Sequence, residues 1–153
     1  MTRLGAALHK EGESNLRKIL DKELFLYLLD HEMKRARRYQ NFLSLLLIQF
    51  SQIQVGSQEN GLQTYYTELC NLLKEETRES DLLGSLGEYQ LAILLPYADE
   101  SAGGSAKSRL EAVIADYDFK GRGFEVVIDR ISFPGNAAGM SDLIKKTSGQ
   151  ELS

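Results

Sequence analysis

The residues able to do chemistry in this chain are few. One cysteine, Cys70, cannot form an intrachain disulfide, and two histidines, His9 and His31, offer almost nothing for a zinc site. Cys70 lies beside an apolar stripe at helical spacing, where it reads as a small buried hydrophobe rather than a nucleophile. What remains is charge. Lys34, Arg35, Arg37 and Arg38 form a basic run suited to the C-terminal end of a helix dipole, and a solvated helix end is favoured there over an anion site. Arg78-Glu79-Ser80-Asp81 sets a guanidinium and a carboxylate at i and i+3, a spacing that by itself yields a surface ion pair worth ~0–1 kcal/mol.

A single domain must position these groups. The 153 residues carry 18 Lys+Arg against 22 Asp+Glu, a net charge of −4, and are 42% hydrophobic and 26% charged, which suits one soluble globular unit. A chain of this length buries roughly two-thirds of its unfolded surface around one core. The acidic balance argues against binding of a nucleic acid polymer, whose phosphates need a basic surface. The longest apolar run, Leu24 to Leu29, falls far short of the roughly twenty residues of a membrane span, so no membrane insertion is expected. Residues 1–10 lack the apolar core of a signal peptide, and a cytoplasmic location follows as an expectation.

The polar residues 1–13 read as a mobile lead-in and 148–153 as a C-terminal tail, with one domain over 14–147. From Ser14, a plausible N-cap, Leu16, Leu20, Leu24, Tyr27, Leu28 and His31 recur at helical spacing. Phe42 to Phe50 is short and almost wholly apolar, a strand buried on both faces. A polar loop over Ile53 to Asn60 leads to a second amphipathic helix through Leu62, Tyr65, Tyr66, Leu69, Leu72 and Leu73, ending near Arg78. Leu82–Leu83 and Leu91 to Leu95 flank a turn and read as a hairpin ended by Pro96. Ala102 to Ala115 is a third helix whose first turn is weakened by Gly103 and Gly104. Phe124 to Phe133 alternates as a strand, Pro134-Gly135-Asn136 makes a turn, and Met140 to Lys146 forms a last short helix. The order α-β-α-β-β-α-β-α predicts an α/β sandwich with a mixed central sheet flanked by helices.

The hairpin Ser85-Leu86-Gly87-Glu88-Tyr89-Gln90-Leu91-Ala92-Ile93-Leu94-Leu95-Pro96 resembles the signature of the GGDEF domains, the diguanylate cyclases of bacterial second-messenger signalling. Glu32 to Tyr39 looks like the end of that family's first helix, Leu43 to Ile48 like its first strand, and Phe124 to Pro134 like its late strand. Four segments in order and spacing make the resemblance specific over nearly the whole chain. It implies the palm-like fold of nucleotidyl cyclases, with the family's last helix missing.

The resemblance also implies a degenerate, inactive member. A diguanylate cyclase joins two GTP molecules using two metal ions that activate a hydroxyl and neutralise phosphate charge. The positions of its metal ligands read Gln49 and Tyr89, neither a useful ligand for Mg²⁺. The signature residues Gly87, Glu88, Tyr89, Gln90 and Leu91 put a carboxylate at the glycine that should approach the nucleotide and no acid at the third and fourth positions. The stretch after the first strand reads Gln49-Phe50-Ser51-Gln52-Ile53-Gln54, and the guanine-binding loop after it is short. The chain stops before the phosphate-gripping helix of active members. No catalytic residue, no cofactor and no Mg²⁺ are expected.

A second site of the family is kept in register. Its inhibitory motif, Arg-x-x-Asp, binds the product cyclic di-GMP; Arg78 and Asp81 stand at its positions, followed by the five residues Leu82 to Leu86 before Gly87. Arg109 matches the arginine that completes the site, whereas the arginine normally two residues before the signature is Ser85. Guanine offers O6 and N7 to a planar guanidinium and N1–H and N2–H to a carboxylate, each good bidentate contact being worth ~1–3 kcal/mol. Loss of the active site with retention of these three residues favours binding over a remnant or a bare ion pair. The expected function is thus a non-catalytic cyclic di-GMP receptor that relays the messenger to a protein partner. The alternative is a ligand-independent scaffold, a pseudo-enzyme acting through dimerisation or a partner; GTP binding without turnover is disfavoured by Glu88 and the short loop.

Overall fold

A computed structural model of the chain describes residues 18–53 and 59–134. Helix α1 (Lys22–Tyr39) starts where the Asp21 carboxylate accepts the Leu24 N–H at 2.9 Å, and it ends at Gln40 in the left-handed region with Arg37 and Arg38 in its last turn. Strand β1 (Leu43–Gln52) follows, then α2 (Glu59–Glu76), the hairpin β2 (Leu82–Gly87) and β3 (Gln90–Pro96), α3 (Glu100–Tyr117) and β4 (Phe124–Phe133). Asp99 caps α3 by accepting the Ala102 N–H at 2.8 Å. The expected helix running from Ser14 through Leu20 is corrected, since residues 18–21 are not helical, Leu20 forms a β-bridge and Asp21 is the cap; both expected tails, the helix over Met140 to Lys146 and most of the loop after Ile53 lie outside the described residues.

The sheet order is β2-β3-β1-β4, and every strand pairing is antiparallel, which corrects the expected mixed sheet. The reason lies in the crossovers. The β1–α2–β2 and β3–α3–β4 units each join parallel strands, but β3 sits between the first pair and β1 between the second, so no two parallel strands touch. The parallel contact that does occur is an isolated bridge. Leu20 donates to the Leu83 carbonyl and accepts from the Ser85 N–H, both at 2.9 Å, and so closes the outer edge of β2.

Burial follows the two-faced character of β1 and β3. On one face α1 packs Phe25, Leu29, Met33 and Ala36 against Leu43, Leu45, Ala92, Leu94 and Phe133. On the other, Leu69 and Leu73 of α2 and Ala106 and Leu110 of α3 cover Leu46, Ile48, Phe50, Leu91, Ile93 and Ile128. The expected α1 stripe is therefore displaced: Leu24 and Tyr27 are 44% and 67% exposed, whereas Phe25 and Leu29 are buried. The run Leu24 to Leu29 is apolar most of the way round the helix, so two stripes one residue apart both satisfy the spacing, and the one carrying phenylalanine packs inward.

Gly103 and Gly104 prove unequal. A Cβ on Gly103 would collide with the Ser44 side chain, which is buried in β1 and hydrogen-bonds the Ala98 carbonyl at 3.0 Å and the Ser132 hydroxyl at 2.9 Å. The missing side chain lets the first turn of α3 seat on the sheet. A Cβ on Gly104 would have its nearest neighbour, Arg130 Nε, at 4.0 Å. Opposite signs follow in chemical denaturation. Gly104→Ala should gain ~0.5–1 kcal/mol of helix stability, whereas Gly103→Ala should lose ~1–3 kcal/mol through overpacking.

Candidate functional site

Helix α2 ends at Glu76, and the chain reverses before β2. Asp81 closes that reversal: its Oδ2 accepts the Arg78 backbone N–H at 3.0 Å, and its own N–H donates to the Arg78 carbonyl at 3.0 Å. This contact joins the Asp81 carboxylate to the backbone of Arg78. Arg78 is left on an exposed turn.

Arg109 reaches the same corner from α3. Its Nη2 donates to the Glu76 carbonyl at 3.3 Å, and its Nε lies 3.7 Å from Glu76 Oε1. A guanidinium on the last carbonyls of α2 meets the negative end of the helix dipole, which fixes the side chain. Arg78, Asp81 and Arg109 thereby line one pocket of about 220 Å³, with Ser80 and Ser105 beside them and Pro96, Ala98 and Ala102 as an apolar wall. That volume is below the roughly 300–1,000 Å³ of clefts that enclose small molecules. The pocket suits one edge of a planar group, not an engulfed ligand. Sequence reasoning found the three charged residues and missed Glu76, Ser80 and Ser105; Glu76 carries no local signal, since its partner is 33 residues away.

The hairpin turn has a different character. Glu88 and Tyr89 make the turn between Gly87 and Gln90, Glu88 exposed and Tyr89 at φ 61°. The Tyr89 carbonyl accepts the Phe50 N–H at 3.0 Å, and its ring packs edge-on to Tyr66 at 4.9 Å and lies 6.3 Å from Phe50. Phe50 in turn stacks on Phe124 at 5.2 Å. Gln49 pairs with Gln90 across β1 and β3, and Leu91 belongs to the core. Of the two positions where the resemblance puts metal ligands, Tyr89 is packed among aromatic rings and Gln49 is exposed. Among the described residues, no three His, Cys, Asp or Glu side chains converge as a metal site would need.

Titration behaviour on this side of the sheet is that of packed groups. Burial pushes the Tyr66 hydroxyl and the Cys70 thiol above their ordinary values, with a hydrogen bond between the two partly offsetting the effect on Cys70. The Tyr117 hydroxyl, bonded to Glu68 at 2.6 Å, is raised chiefly by that carboxylate. Arg122 lies over the rings of Tyr65 and Tyr117 at 5.3 and 5.0 Å.

Two crossovers, each spanning an inserted strand, give a split β-α-β arrangement, and the fold is the one seen in solved GGDEF domains. Solved structures bear this out. A diguanylate cyclase protein from Thermotoga maritima superposes with a TM-score of 0.66 at 19% identity, over 78% of this chain and 85% of that one. The active GGEEF domain of a diguanylate cyclase from Vibrio cholerae gives 0.66 at 12% identity over 76% and 78%. The coiled coil and GGDEF domain of DgcB from Caulobacter crescentus, solved in complex with c-di-GMP, gives 0.66 at 12% identity over 88% and 78%. No protein-family model and no curated protein matches the sequence. No helix among the described residues is long and apolar enough to cross a membrane.

The raised Cys70 thiol makes a reactivity prediction. At pH 8, iodoacetamide should modify Cys70 in the folded chain about tenfold more slowly than in the urea-unfolded chain, because less thiolate is present and access is restricted. Mass spectrometry of timed aliquots gives both rates, and equal rates would contradict the packing described.

Proposed function

We propose that this chain is a non-catalytic cyclic di-GMP receptor that binds the messenger at Arg78, Asp81 and Arg109 and passes its occupancy to a protein partner. The observation that carries the reading is that these three side chains, drawn from the turn after α2 and from α3, line one pocket. Arg78 contributes a planar guanidinium that the fold itself does not use, suited to O6 and N7 of guanine. Asp81, which holds the turn through Oδ2, brings to the same pocket a carboxylate, the group that pairs with N1–H and N2–H of guanine. Arg109, set by Glu76, supplies further N–H donors for a second guanine edge or a phosphate. Absence of turnover is supported by the residues at the two expected ligand positions, Tyr89, whose ring packs on Tyr66 and Phe50, and the neutral Gln49.

A partner-binding role, alone or with the ligand, has its own support on α1. Leu24 and Tyr27 are exposed on one helix face, with the Tyr27 ring stacked on His31 at 6.4 Å, a patch suited to a second copy or another protein.

Calorimetric titration with cyclic di-GMP tests the main reading. Micromolar affinity is expected, together with a ligand-dependent rise in Tm that grows as ligand exceeds the Kd. Arg78→Ala should weaken binding by ~1–3 kcal/mol with little change in stability. Asp81→Asn is the cleaner partner variant, since the amide oxygen can still accept the Arg78 N–H while the second carboxylate acceptor is lost. No heat and no Tm shift with the wild-type chain would overturn the receptor reading. A second assay, GTP with Mg²⁺, should yield no cyclic di-GMP.

A further inference from the structure

Two arginines line the pocket, and the fold treats them differently. Arg78 is exposed, and its guanidinium makes no ion pair among the described residues. Arg109 is already engaged. Its Nη2 donates to the Glu76 carbonyl at 3.3 Å, and its Nε lies 3.7 Å from Glu76 Oε1. Both contacts fall on the guanidinium edge that Nε and Nη2 share, so Nη1 is the nitrogen left to a ligand.

The two contacts do different things. The carbonyl is a neutral acceptor within hydrogen-bond distance at the end of α2, and it fixes where the guanidinium lies. The carboxylate stands too far off for a hydrogen bond and adds little direction. Its charge still acts, because Coulomb attraction falls only as the inverse of distance. Neither side chain is fully exposed, so water screens the pair only in part. An anion arriving at Arg109 therefore meets a cation whose charge is partly cancelled from α2.

We propose that the Glu76 side chain is a built-in competitor for the ligand at Arg109: its main chain positions the guanidinium, while its carboxylate lowers the affinity of the pocket for an anionic dinucleotide. This rests on the receptor reading above and adds what sets the ligand concentration at which the site fills. A cyclic dinucleotide carries two phosphodiester charges, and it gains less from Arg109 than from a guanidinium with no carboxylate beside it. The effect is reciprocal. Ligand that draws on the Arg109 charge weakens its tie to Glu76, and anything that moves the end of α2 alters the affinity of the pocket.

The test is calorimetric titration of cyclic di-GMP into the wild-type chain, Glu76→Gln, Glu75→Gln and Arg78→Ala, at low and high salt, with thermal denaturation of each. Glu76→Gln keeps the carbonyl and removes the charge, so it should bind roughly two- to fivefold more tightly, the span of one partly exposed ion pair. Its affinity should also fall more steeply with salt than that of the wild type, since the Arg109 charge is no longer cancelled internally. Glu75→Gln makes the same change in net charge at an exposed neighbour and should bind as the wild type does. Glu76→Gln affinity equal to or below the wild-type value, with binding weakened in Arg78→Ala, would overturn the competitor and leave the receptor reading intact. An equal gain in Glu75→Gln would reveal a general charge effect, and that too overturns it. A Glu76→Gln variant whose affinity and Tm fall together would make the carboxylate a structural brace instead. No binding by either the wild-type chain or Glu76→Gln would remove both readings.

Discussion

Strand β1 is hydrogen-bonded on both sides, to β3 and to β4, and apolar on both faces. This constraint organises the molecule. A strand buried in this way needs a helical layer above and below, and α1 on one side with α2 and α3 on the other supply it. Its register then decides what lies at each end of the sheet. At one end Gln49 faces Gln90 and the Phe50 N–H meets the Tyr89 carbonyl, so the hairpin turn is drawn onto the aromatic core. At the other, Leu43 faces Pro96, which delivers the end of β3 to the pocket formed by the turn after α2 and by α3. The two ends carry opposite chemistry, one sealed by rings and one lined by guanidiniums and a carboxylate.

Polar groups inside this frame are tied down. Ser44, buried near the start of the apolar strand, reaches two carbonyls before α3 and the Ser132 hydroxyl, and Arg130 donates to Ser132 at 2.7 Å. Among the described residues no buried side-chain nitrogen or oxygen lacks a partner. The network fixes where α3 begins, and Arg109 lies two turns further along that helix. Placement of one pocket residue therefore depends on a serine in the core.

Much of the architecture was legible in the residues. Strand β4 begins and ends at Phe124 and Phe133 as its alternation requires, and the apolar stretches around β1 and β3 marked central strands. The sense of the sheet was not legible, because strand direction depends on which strand inserts between two others. The buried stripe of α1 was misplaced by one residue because the helix is apolar over much of its girth. Gly103 read as a defect because its cause, Ser44, is far away in sequence. Of the pocket, the three charged residues were visible through register with a known motif. Ser80 and Ser105 were not: their place in the pocket exists only in the folded chain.

The clasp at Leu20 bears on how freely positions in this chain can vary. Both of its hydrogen bonds use main-chain atoms, so the clasp asks of residue 20 only an amide proton and modest bulk. Many apolar side chains meet that requirement and proline does not. Across from it, Gly84 stands against the Phe25 ring, where any Cβ would intrude. Two residues joined in one bridge thus have opposite mutational latitude: the first can drift while its partner is held to glycine for as long as position 25 remains aromatic.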